Sequence, residues 1–103
     1  MMKNDFIRAI QEEKLVEVVI NSKEKGEIKR KCVPFDFGPS RRSKSKTDKY
    51  HFYDLNSPEG EHNLSVQPEY VKNLIILDEE FNPADFVKWK TNWFIERDWG
   101  IYS

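Results

Sequence analysis

The chain has a single cysteine, Cys32, which excludes an internal disulfide framework. Its two histidines, His51 and His62, stand apart from that thiol. No Cys or His cluster therefore has metal-ligand spacing, and neither a metal nor a cofactor is expected. Glycine is scarce, at 4 residues, and none of the four builds a phosphate-cradling loop. The G-x-S-x-G and H-E-x-x-H patterns of hydrolases and metalloproteases are also missing. Long apolar runs are absent too. The charged start Met1-Met2-Lys3-Asn4-Asp5 leads into no secretory h-region, and no stretch approaches the about 20 apolar residues of a spanning helix. The expectation is a protein of the reducing cytoplasm with no membrane partner.

What is present is enough for one folded domain over residues 1–103. Charged residues make up 34% of the chain, yet 14% are aromatic, a combination that argues for a thin core filled by a few large rings and against disorder. The net charge of −1 conceals a segregation. From Lys29 to Lys49 run Lys29, Arg30, Lys31, Arg41, Arg42, Lys44, Lys46 and Lys49, opposed only by Asp36 and Asp48. That stretch carries +6 and the remainder −7. A near-neutral total is then uninformative about partners, because a polyanion meets the local charge.

The apolar pattern predicts a mainly β fold with a helix at each end. Asn4 can cap a helix reaching to about residue 14, with Phe6, Ile7 and Ile10 on its apolar face. Val16, Val18 and Ile20 alternate on a first strand, and Gly26 suits the turn that closes a hairpin. The return strand runs from Glu27 to about Phe35, where Pro34 is expected to end it or mark an edge. Residues 37–48, with Gly38, Pro39, three serines and four bases, have loop composition. Tyr50, Phe52 and Leu55 mark a third strand, Leu64 and Val66 a fourth, and Leu74 to Leu77 a fifth. Five short strands over 15–78 suggest a small SH3-like barrel. Asn82, Pro83 and Asp85 form a helix start signal. Phe86, Trp89 and Trp93 follow at helical spacing, and Gly100 terminates a helix expected over 83–99.

Several of these stretches are similar to the WYL-like domains of bacterial regulators. Ala9 and Ile10 precede the first strand. Arg30-x-Cys32-x-Pro34 is similar to the family's R-x-V-x-P stretch. The run from Asp48 to Leu55 stands where the family has its Trp-Tyr-Leu strand, and Phe81-Asn82-Pro83-Ala84-Asp85-Phe86 resembles its F-x-P-x-D-F continuation. The resemblance implies a compact SH3/Sm-like barrel with a leading helix, acting as a regulatory or accessory binding domain. Two features depart from the family. Lys49, Tyr50 and His51 replace the triad, and His62, Leu64, Ser65 and Gln67 stand where it carries ligand-face arginines.

The candidate site is the basic edge. Arg41, Arg42, Lys44 and Lys46 can neutralise phosphates, with Lys29, Lys31 and Lys49 extending the patch and Tyr50 and Phe52 offering stacking surfaces. The expected role is a non-enzymatic module for nucleic acid or a nucleotide. The plainer reading is a solvated loop paired with the chain's own acids, eight of which lie between Asp54 and Asp85. The alternative function is a protein-interaction or self-associating module using an aromatic helix Phe86–Trp99, whose rings otherwise pack into the core. Cys32 with either histidine matches a nucleophile and base by residue type alone, and a small buried hydrophobe is the simpler account. Asp78, Glu79 and Glu80 lack the ligand spacing of a cation site and read as a solvated turn.

Overall fold

A computed structural model of the chain describes residues 2–22, 24–40 and 47–103. A helix, α1 (Met2–Glu12), leads into five strands: β1 (Lys14–Ser22), β2 (Gly26–Pro39), β3 (Asp48–Asp54), β4 (His62–Val66) and β5 (Val71–Glu80). All pairings are antiparallel, and the order across the single sheet is β4-β3-β2-β1-β5. The last strand thus returns to the first, leaving β4 and β5 as the two edges. A 3-10 turn at Pro68–Tyr70 joins these edges and lies against both β1 and β3. The edge strands β4 and β5 do not pair, so the expected barrel is not closed.

Local chemistry explains most of these elements. The α1 face that meets the sheet is Phe6, Ala9 and Ile10, and Asn4 lies inside the helix, not at its cap. Glu13 ends the helix at φ 56°, the left-handed conformation usually given to glycine. Gly26, at φ 72°, closes the β1–β2 hairpin.

β2 runs past Pro34, contrary to the expectation from its missing N–H. The register shows why. Pro34 pairs with Phe52 and Asp36 with His51, so Phe35 is an extra residue and the proline sits beside a bulge. The bulge also resets the alternation. Phe37 returns to the α1-bearing face, its ring 4.7 Å from Tyr50, which is itself 4.9 Å from Phe6. Phe35 and Asp36 are both presented to the opposite face.

That opposite face is covered by the C-terminal segment, where the sequence pattern misleads. Asn82 does cap a helix, accepting a hydrogen bond from the Ala84 amide at 3.1 Å. The helix α2 (Pro83–Phe86) nevertheless stops after one turn, with Val87 extended, and a 3-10 turn at Gly100–Tyr102 is the only further helical piece among the described residues. Irregular chain lets each ring reach its own partner: Phe86 to Tyr53 at 5.5 Å, Trp93 to Phe35 at 5.8 Å, and Trp99 to Phe81 at 5.4 Å. A continuous helix would have tied up the amides of Phe94 and Ile95, which here go to Asp36. Tertiary bonds outweigh a helical preference already weakened by Thr91 and Asn92.

Candidate functional site

The C-terminal segment is pinned by a buried ion pair. Asp36 accepts hydrogen bonds from the Phe94 amide at 2.9 Å and the Ile95 amide at 2.9 Å. Arg97 Nη2 lies 3.3 Å from Asp36 Oδ1, with the arginine side chain wholly out of solvent. Its Nη1 donates to the Phe35 carbonyl, and its Nε donates to the Ile95 carbonyl at 3.0 Å. The guanidinium is held between two indoles, its Cζ 4.1 Å from the Trp93 ring centre and 4.5 Å from that of Trp99. Burial pulls the Arg97 pKa down to about 10 while Asp36 opposes the shift, so the guanidinium stays protonated at neutral pH. The Trp99 indole donates to the Ile10 carbonyl at 2.8 Å, which joins the segment to the end of α1.

This clamp fixes one wall of a cleft of about 550 Å³. Trp89, Trp93 and Phe94 form that wall, Phe35 lies within, and Asn63, Ser65 and His51 come from the facing strands. Phe94 sits on Gly38, where an added Cβ would lie 2.4 Å from its ring carbon Cδ2. The absence of a side chain there makes the close approach possible. His51 bridges the strands: Nε2 is 2.8 Å from the Gly38 carbonyl and Nδ1 is 2.8 Å from Ser65 Oγ. A carbonyl only accepts, so the network assigns a proton to Nε2, and in the neutral tautomer Nδ1 accepts from the serine hydroxyl. Pro39 and Ser40 close the cleft at the end where β2 gives way to the basic segment.

The described members of the predicted site are scattered by the fold. Lys29 Nζ lies 3.9 Å from Glu17, and Lys31 Nζ lies 2.5 Å from Glu79. Both lysines of the strand are thus answered by the chain's own carboxylates. The neighbouring Arg30 pairs with buried Asp54 at 3.2 Å. Tyr50 and Phe52 are core residues, 4% and 1% exposed, and offer no surface to a base. Their alternation faces α1, a destination that a strand read without its partners does not reveal. Arg41, Arg42, Lys44 and Lys46 lie outside the described residues. Lys49 keeps its place on β3 and has no carboxylate partner among the described residues. Lys3, its Nζ 4.5 Å from the Phe37 ring centre, and Lys90, on the cleft rim, share that condition.

The remaining candidates resolve structurally. Cys32 is fully buried, and burial pushes its thiol pKa well above the ordinary value, with Asp54 adding to the shift. The ring of His62 meets the Gly60 carbonyl at 2.9 Å, so neither histidine serves that thiol. Glu79 and Glu80 pair with Lys31 and Lys14, and no described cluster of His, Cys, Asp or Glu is suited to a metal. No described helix is long and apolar enough to cross a membrane. The sequence reading missed the Asp36–Arg97 clamp. A lone acid in a basic stretch and a lone arginine among tryptophans were its only signals. Compared with known proteins, the chain matches no family model, no curated protein and no solved structure.

Proposed function

We propose that the chain is a non-enzymatic binding module for an anionic partner, nucleic acid first, and that it binds at the β2–β3 end of the sheet. One observation carries this reading. The cations near that end, Lys3, Lys49 and Lys90, lack carboxylate partners among the described residues, whereas Lys29 and Lys31 farther along β2 are paired. The sequence adds Arg41, Arg42, Lys44 and Lys46 between Ser40 and Asp48. Each phosphate neutralised there releases counterions, so affinity falls steeply with salt. The leading helix and the return of β5 beside β1 support a WYL-like small-barrel ancestry for such a module.

Fluorescence anisotropy of labelled single-stranded DNA and RNA, titrated with salt from about 50 to 200 mM, tests the proposal. The expected result is binding that weakens across the range and weakens further in the variant Arg41→Ala/Arg42→Ala. Absence of binding at the low end, or indifference to the double substitution, removes it. The alternative, a protein-interaction or self-associating module, draws on Trp89, Phe94 and Ile101, which stay substantially exposed. A concentration-dependent elution volume in sizing chromatography would favour it.

A further inference from the structure

The cleft beside the clamp has a chemistry narrower than charge alone. Trp89 is 48% exposed, and its contacts with Phe35 and Trp93 are both edge-to-face, at 5.6 and 5.9 Å. No described ring lies flat on the indole. Across the cleft, Asn63 projects from edge strand β4, opposite Tyr53 in the register. Its amide has no hydrogen-bond partner among the described residues, leaving two donors and an acceptor for a ligand. Lys90 supplies a cation at the rim. The only carboxylate among the described lining residues, Asp36, is engaged by Phe94, Ile95 and Arg97.

A flat apolar surface, an unengaged amide and a cation without a competing acid suit a planar hydrogen-bonding ring attached to an anion. We propose that the cleft seats one base of a single-stranded nucleic acid, with the ring on Trp89, the base edge at Asn63 and Lys90 beside the adjoining phosphate. The proposal rests on the polyanion reading above and names the part of the partner that is recognised. The cleft's volume of about 550 Å³ lies within the roughly 300–1,000 Å³ of small-ligand sites. Duplex bases are already stacked and paired, so only a splayed base can enter. A proline-rich peptide also uses aromatic grooves, but basic examples would want acidic rims, and this rim offers Lys90.

The test compares a labelled single-stranded oligonucleotide of about 12 nucleotides with an abasic strand of equal length. Both are titrated against the wild-type chain, Trp89→Ala and Asn63→Ala, with far-UV circular dichroism confirming that the variants fold. The wild type should bind the base-bearing strand about tenfold or more tightly than the abasic one. Trp89→Ala should erase that difference by weakening the base-bearing strand alone, with the salt slope unchanged. Asn63→Ala should alter the ranking among the four homopolymers without changing abasic affinity. Equal, salt-dependent binding of both strands by the wild type overturns the base site and leaves the polyanion reading standing. Failure of both strands to bind at low salt overturns both readings. A proline-rich peptide whose binding is lost in Trp89→Ala, with oligonucleotide affinity untouched, also overturns the base site and assigns the cleft to a protein partner.

Discussion

Replacing Arg97 with methionine removes a charge from the most enclosed ionic contact of the fold while keeping an unbranched side chain between Trp93 and Trp99. Asp36, only 6% exposed, is left with the amides of Phe94 and Ile95 but no counter-ion. Breaking one side of a buried pair costs about 3–5 kcal/mol, much of it the penalty of the stranded charge. Against a stability of about 5–15 kcal/mol for a domain of this size, that loss is large. With a urea dependence of about 1–3 kcal/mol per molar, the unfolding midpoint should fall by about 2 M. Removing both charges, as Asp36→Leu/Arg97→Met, should cost less than the sum of the single substitutions. It should not recover the wild type, because the Phe94 and Ile95 amides then lack their acceptor, at about 1–3 kcal/mol each where buried. Urea unfolding followed by tryptophan fluorescence measures all four corners of this cycle. A loss below about 1 kcal/mol in Arg97→Met would refute the clamp as the main fastening of the C-terminal segment.

Glu13→Gly should raise the melting temperature by about 4–8 °C per kcal/mol of relieved left-handed strain, and calorimetry that finds no increase would show the strain to be absent. Gly38→Ala should push the Phe94 ring from its seat, with a near-UV circular dichroism change as the readout, and an unaltered spectrum would contradict the packing. Alkaline pH should destabilise the fold. The Cys32 and Tyr50 pKa values are raised by burial above their ordinary 9.0 and 10.0. Above about pH 9 the unfolded chain therefore holds fewer protons than the native one, and stability falls as pH rises. A urea midpoint constant from about pH 7 to pH 10 would contradict this.

Sequence pattern reached the five strands, the Gly26 hairpin and the Asn82 cap because each depends on neighbours within a few residues. It failed where distant residues decide. Phe86, Trp89 and Trp93 have helical spacing, but Asp36, far back on β2, takes the amides that would have continued the helix. Pro34 was a poor strand residue until the bulge at Phe35 accommodated it. The expected site suffered in the same way. Tyr50 and Phe52 alternate toward α1, a fact of register, and the paired state of Lys29 and Lys31 depends on Glu17 and Glu79 lying across the sheet. Stacking surfaces were expected at Tyr50 and Phe52, which are buried, whereas Trp89 and Phe94 are rings left partly exposed in the cleft.

An anionic, base-bearing strand bound where the clamped C-terminal segment meets the β2–β3 end would lie against Trp89. Indole N–H resonances of ¹⁵N-labelled protein, titrated with single-stranded DNA, report on it most directly. The Trp89 signal should move with saturation while that of buried Trp99, bonded to the Ile10 carbonyl, stays in place. A Trp89 signal that does not move at saturating DNA, with shifts confined to other parts of the fold, would contradict it.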